Sequence, residues 1–385
     1  MTGVRDMNRR ARTILTAATA VALSAALAGP AVAAPPTGGH EATRQAVRAA
    51  VADGVPGVTV RVQRGHGAWA ATAGVGDLET GKPRSTRDHY RVASISKTFV
   101  ATVVLQLEAE GRLSLDDTVE KWLPGVVRGH GHDGREITLR QLLNHTSGVF
   151  DYLADPGFQR TYMTADGFMK HRFDEADPAE LLAFALANEP YFAPGSSFRY
   201  SNTNYLLAAR VIEKATGNGY GEEIDRRIIA PLHLTSTSVP TTRVTLPRPS
   251  SRAYSKLAET DTGPTYDVTE LNARLAYGSG QMVSSSADLN RFYSALLRGR
   301  LLPPEQLKKM KTTVPSGRET SRYGLGLVDR KLSCGVHVWG HDGGISGSNS
   351  DAVTTEDGRH TLAVNFNGDW SGSIRAIVEA EFCGT

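Results

Sequence analysis

The chain has 385 residues, 40% of them apolar and 22% charged, with a formal net charge of +3. This is the balance of an ordinary globular protein, long enough for two packed lobes. It lacks the basic surface that a nucleic-acid partner requires, and no stretch after residue 40 is long and apolar enough to cross a bilayer.

The first 34 residues stand apart. Arginines at 5, 9, 10 and 12 precede an apolar run that ends in Ala31-Val32-Ala33, a small-x-small cleavage pattern. Residues 1–34 therefore read as a secretory signal peptide and are set aside from the fold. Removing them takes away those four arginines and Asp6, leaving 39 basic against 39 acidic residues and no net charge. The expected product is a secreted, extracellular monomer, free or associated with the cell wall.

In chain order, 41–54 reads as a helix stopped by glycine, and 57–77 alternates through an Arg64-Gly65-His66-Gly67 turn as a β-hairpin. A helix opens near Ser94 with Phe99, Val100, Val103, Val104 and Leu107 as its apolar face, and Gly111 stands at its C′ position. Helices and loops fill 112–245. One helix enters a turn at 137–148, and another spans 202–217, capped by Asn202 or Thr203. Strand patterns return at 337–355 and 360–367 around the turn 356–359, and a last helix covers about 372–382. Strands at both ends and helices between them predict an α+β fold. Its antiparallel sheet, flanked by helices, is built from both chain ends (40–90 plus 275–385), with a mostly helical lobe inserted at 91–274. The active cleft is expected where the lobes meet.

Cys334 and Cys383 are the two cysteines. After export, a disulfide between them is the expected state. Its 49-residue separation is worth about 4 kcal/mol of chain entropy.

Three short patterns carry chemistry. Ser94 and Lys97 are three apart at a helix start and share a face. A serine hydroxyl is a weak nucleophile until a base or cation activates it, and a desolvated lysine has its pKa lowered toward neutrality. The Ser94 N–H, unpaired at a helix start, can face an oxyanion. Tyr200 and Asn202 stand two apart before the next long helix. Tyr200 can serve as general base beside a lysine, and Asn202 can orient that lysine and bind a substrate amide. His341 leads His341-Asp342-Gly343-Gly344 on a late strand. There it can carry positive charge or relay a proton, while the glycines admit a ligand and the Gly344 N–H adds an oxyanion donor. No metal or cofactor is required.

Taken in order, these three patterns resemble the serine penicillin-recognising enzymes, the D-alanyl-D-alanine carboxypeptidase and class C β-lactamase family. The resemblance leans toward secreted actinobacterial D,D-carboxypeptidases. It spans roughly 50–385 and is supported by "RLSLDDTVEKWLPG", "LLNHTSGVFDY", "RYSNTNYLLAARVIEKATG" and "YGLGL". It implies an acyl-enzyme on Ser94, with Lys97 and Tyr200 sharing the proton work and Asn202 and His341 holding substrate and charge. Small peptides, esters or β-lactams are the implied partners. One departure bears on substrate: where these enzymes carry a hydroxyl residue in the third motif, Asp342 stands here, and Val328 is apolar where an arginine is expected. A carboxylate repels the free carboxylate of an acyl-D-Ala-D-Ala terminus. Esters, amides or peptides with a neutral or cationic end then become the alternative substrates.

Other classes have weaker signals. His130, His132 and Asp133 lie in a glycine-rich loop, but Gly134 stands where a zinc hydrolase would need another histidine. No Gly-x-Ser-x-Gly occurs, which speaks against a nucleophile-elbow hydrolase. A penicillin-binding module without turnover is the third alternative.

Overall fold

The computed structural model describes residues 39–257 and 262–384; the leader expected at 1–34 lies outside the described residues. An eight-stranded antiparallel sheet is assembled from both ends of the described chain. Strands β1 (Gly57–Arg64) and β2 (Gly67–Gly74) come from the start. Strands β3 (Val314–Arg318), β4 (Ser321–Tyr323), β5 (Val328–Lys331), β6 (His337–Ile345), β7 (Ser348–Thr355) and β8 (His360–Phe366) come from the end. The order is β2-β1-β8-β7-β6-β5-β4-β3. The two ends are joined by β1 against β8, with Val60 opposite Val364.

Period-two alternation sorts the side chains of this sheet. Val58, Val60, Val62, Val338, Val353, Leu362 and Val364 are buried on one face, beneath α1 (Glu41–Ala52) and α5 (Ile374–Cys383). Each such valine or leucine stabilises the fold by about 1.5 kcal/mol or more. Glu381 on α5 ties that layer together, accepting from Thr43 at 2.7 Å and lying 2.8 Å from both His40 Nδ1 and His360 Nε2. The Cys334–Cys383 disulfide is formed, fastening the β5–β6 turn to the end of α5.

Trp339, Ala352 and Ala363 face the other way, into the larger core with α2 (Ser96–Ala109), α3 (Asn202–Thr216) and α4 (Ser286–Leu297). The expected apolar face of α2 is buried, but so are Lys97, Thr98 and Thr102 on its other sides. Helix α2 runs through the protein interior, so its polar residues must find partners there. Thr98 donates to the Gly326 carbonyl at 2.7 Å, and Thr102 to the Thr98 carbonyl. Among the described residues no helix is long and apolar enough to cross a membrane.

Candidate active site

Ser94 sits in a short 3-10 turn (Ala93–Ile95) just ahead of α2, not in its first α turn. The preceding Ala93 is held at φ +47, a left-handed conformation that costs an alanine about 1 kcal/mol. Beside this turn runs β6. A Cβ on Gly343 would lie 2.1 Å from the Val92 carbonyl oxygen and 2.9 Å from the Ser94 nitrogen. Only a glycine lets the strand pass so close to the serine.

Lys97 is completely buried, and its Nζ makes three contacts: 2.9 Å to Ser94 Oγ, 2.8 Å to Asn202 Oδ1 and 2.8 Å to the Ser279 carbonyl. All three partners are neutral. Desolvation pulls the ammonium down to about 7, with Asp151 and Asp342 opposing it from a distance. Both protonation states fit the same cage. The ammonium donates to all three groups. The free amine keeps two donations, to Asn202 and Ser279, and turns its lone pair to the Ser94 hydroxyl.

Asn202 does not cap α3, contrary to expectation. Ser201 occupies the N-cap with extended backbone and Asn202 is the first helical residue. Its amide is engaged elsewhere, with Oδ1 on Lys97 and Nδ2 donating to Asp151 Oδ2 at 3.0 Å. Asp151 also accepts from the Asn202 backbone N–H at 3.1 Å. Burial raises the Asp151 carboxyl above its ordinary range despite these donors.

Tyr200 places its ring 4.8 Å from Lys97 Nζ. Here the structure revises the expected chemistry. Burial drives the phenol well above its ordinary pKa, and the Ser94 hydroxyl offsets this only in part. Tyr200 is therefore a neutral phenol in the resting site, not a ready base. His341 is revised in the same way. It is 2% exposed, and desolvation together with the Lys97 charge lowers it to about 4, though Asp342 pulls the other way. Burial thus works against the positive charge, one of the two roles read for His341 beside proton relay.

Asp342, on the opposite face of β6 from His341, forms an ion pair with Arg330 at 3.0 Å, and Arg330 also bonds Asp351. Arg330 holds the Asp342 carboxyl below its ordinary range against desolvation, whereas burial pushes Asp351 up to about 6. Val328 is apolar as read, but a guanidinium two residues along the same strand face supplies the charge. Ser94, Tyr200, Tyr323, Arg330, His341 and Asp342 line one cleft of about 760 Å³, with Gly343 and Gly344 in its wall.

Sequence reasoning passed over Tyr323, His145, Asp151, Arg330 and the Ser279 carbonyl. The first three lie within stretches that carried the resemblance and Arg330 stands two residues past Val328, yet no spacing signalled them. The last is a backbone group and leaves no mark in residue type. His132 meets the Asn188 carbonyl at 3.1 Å and Asp133 is held by Arg135, so the loop histidines and aspartate do not converge.

A family model described as Beta-lactamase matches residues 43–377. The chain belongs to the beta-lactamase family. Within and around that family, it is 55% identical to a D-stereospecific amidohydrolase from Streptomyces sp., with a TM-score of 0.86 over 90% of this chain and 100% of that one. A D-amino acid amidase from Ochrobactrum anthropi SV3, complexed with L-phenylalanine amide, is 26% identical, with a TM-score of 0.76 over 88% of this chain and 97% of that one. Penicillin-binding protein 4* of Bacillus subtilis is 29% identical over 319 residues, 80% of this chain. The chain spans 66% of the length of that Bacillus protein and about half of the next curated relatives.

Proposed function

We propose that the protein is a secreted serine hydrolase that forms an acyl-enzyme on Ser94. Its substrates on this reading are amides, esters or short peptides of D-configured amino acids whose leaving group bears no carboxylate beside the scissile bond. The observation that carries this reading is the 2.9 Å contact of Ser94 Oγ with a buried Lys97 that has only neutral partners. At neutral pH part of Lys97 is free amine, and that amine takes the Ser94 proton as Oγ bonds to the substrate carbonyl carbon. The carbonyl π electrons move to oxygen, and the backbone N–H groups of Ser94 and Gly344 are the proposed oxyanion donors, each worth about 3–4 kcal/mol in such sites. When the tetrahedral adduct collapses, the bond to the leaving nitrogen or oxygen breaks. The neutral Tyr200 phenol gives that atom its proton and is reprotonated from the Lys97 ammonium. Water then attacks the ester with Lys97 and Tyr200 in the reverse roles.

The substrate class rests on the other end of the cleft. Asp342 and Asp351 share the Arg330 guanidinium, so on this reading that cation is already matched by two carboxylates and is not left for the carboxylate of a substrate. The D configuration is the property named for the Streptomyces amidohydrolase and the Ochrobactrum amidase. A D-Ala-D-Ala carboxypeptidase is the second reading, favoured by Arg318 and Arg375, which line the same cleft.

The test is intact-mass spectrometry of wild-type protein and Ser94→Ala with a D-phenylalanine ester and a β-lactam. Turnover of an acyl-D-Ala-D-Ala peptide is compared with that of its C-terminal amide. The expected result is an acyl adduct confined to the serine and faster turnover of the amide. A clear preference for the free acid would return the protein to the carboxypeptidases.

A further inference from the structure

The buried ring of Tyr323 joins the two walls of the cleft. Its hydroxyl lies 2.8 Å from His341 Nε2 and 3.2 Å from His145 Nε2. All three side chains are buried, at 3%, 2% and 0% exposure. A hydroxyl between two imidazoles is ambiguous on its own, since either histidine could hold the proton. Here both ends of the chain terminate on backbone groups, and backbone groups have fixed polarity.

At one end the Ser201 amide N–H donates to His145 Nδ1 at 3.2 Å. An amide N–H cannot accept, so Nδ1 carries no proton. Asn204 Nδ2 lies 3.1 Å from the same nitrogen, and its amide is oriented by Ser147, which donates to Asn204 Oδ1 at 2.6 Å. The proton of His145 therefore sits on Nε2 and is donated to the Tyr323 oxygen. The single proton of Tyr323 then serves His341 Nε2, 2.8 Å away, while its other polar neighbour, the Tyr205 hydroxyl, donates to the Leu143 carbonyl at 2.7 Å. The remaining proton of His341 sits on Nδ1, 2.5 Å from the Asp342 carbonyl, which can only accept. A neutral, one-way arrangement satisfies every donor and acceptor. An imidazolium at His145 would set its Nδ1 proton against the Ser201 N–H donor, and one at His341 would force the Tyr323 proton away from Nε2 toward the Tyr205 hydroxyl.

We propose that Tyr323 is a positioning residue. It completes a one-way hydrogen-bond chain from the Ser201 amide through His145 to His341, holding His341 as the uncharged Nδ1–H tautomer with both ring nitrogens occupied. Two consequences follow for the site. His341 has no free nitrogen for substrate, and Lys97 remains the one cation beside the nucleophile. The second and third motifs are also held at a fixed separation, because Ser201 lies between Tyr200 and Asn202 while Asp342 precedes the glycine packed on Ser94. Tyr200 is seated by the same device, its ring 4.2 Å from that of His145. The titratable and charged groups facing His341 are Tyr323, Tyr200, Lys97, His145, Asp342 and Arg330.

The inference gives His341 a place in the proposed hydrolase, but its test needs no substrate. Long-range proton–nitrogen correlation spectra of full-length, histidine-labelled protein are recorded from pH 5 to 8. The expected result is His145 as the Nε2–H tautomer and His341 as the Nδ1–H tautomer, both uncharged throughout. A protonated His341 Nε2 anywhere in that range overturns the proposal. These spectra stay interpretable even if Ser94 never acylates, so failure here and failure of the hydrolase reading are separable. In Tyr323→Phe the ring remains and the hydroxyl is lost. The His341 titration should then move up toward the ordinary histidine value, and kcat should fall about tenfold with KM within twofold. In a His341→Gln background the same Tyr323→Phe change should have little further effect on kcat. An equal loss in both backgrounds would mean that Tyr323 acts by another route. The wild-type spectra decide the tautomers even if Tyr323→Phe fails to fold.

Discussion

The two ends of the cleft manage charge by opposite means. Around Ser94 a single cation, Lys97, is surrounded by neutral acceptors, a neutral phenol and two neutral histidines. Desolvation sets the protonation states there. At the Asp342 end three ionisable groups meet: Arg330 holds the exposed Asp342 carboxyl low, while the burial of Asp351 outweighs the same guanidinium. The first arrangement keeps a base close to its working pH. The second keeps Asp342 and Arg330 ionised, which suits recognition better than proton transfer.

The most severe way to break this contrast is Ser94→Ala. Turnover should fall by about 10⁴-fold or more with the fold intact, and the acyl adduct should vanish from the mass spectrum. Retained adduct would move the nucleophile elsewhere. Next in size is Lys97→Met, expected to cost about 10³-fold. The wild-type pH profile sharpens the same point. The lysine is depressed to about 7, so the free amine is present above that pH and is lost as pH falls. Log kcat/KM should rise with unit slope below pH 7 and level off above it. A flat profile from pH 5 to 9 would contradict a lysine base.

Arg330→Met probes the other end. It leaves Asp351, which is 2% exposed, without its cation, a change that typically costs about 3 kcal/mol or more. The sign with pH follows from the raised carboxyl. Asp351 already titrates near 6, and removing Arg330 raises it further, so the loss should be greatest at pH 8 and relieved at pH 5, where the protonated acid is neutral. Urea unfolding at the two pH values measures this, while the activity limb near pH 7 should barely move. The smallest effect is expected for Asp342→Thr. It removes a repelling carboxylate and should shift the preference toward a free-acid leaving group by about tenfold, or about 1.4 kcal/mol. The ratio of kcat/KM for acid and amide peptides reports it.

Much of this arrangement was legible in residue pattern. Alternation at 57–77 and 337–367 announced strands at both ends, and two cysteines in a chain that reads as exported announced their own pairing. The i, i+3 spacing of Ser94 and Lys97 required a shared face wherever the helix lay. The lowering of Lys97 toward neutrality was legible as the effect of desolvation on a lysine, but the protonation states of Tyr200 and His341 were not. Tyr200 reads as a base because a lysine stands near it, and His341 reads as a cation or a proton relay because histidine titrates near neutrality. The first reading used a neighbour and the second the ordinary imidazole value, and both omitted burial, the largest influence at each site. Asn202 reads both as the partner that orients the lysine, which its 2.8 Å contact with Lys97 matches, and as one of two candidate caps, a place that Ser201 takes instead.

By itself, then, the order of residues determined which groups could react and which strands could pair, because those follow from residue chemistry and from the periods of helix and strand. Only the packed structure decided which groups are charged. Desolvation depends on every atom packed around a group. In this protein the deciding atoms, such as the Ser279 carbonyl beside Lys97 and Tyr323 beside His341, arrive from distant parts of the chain.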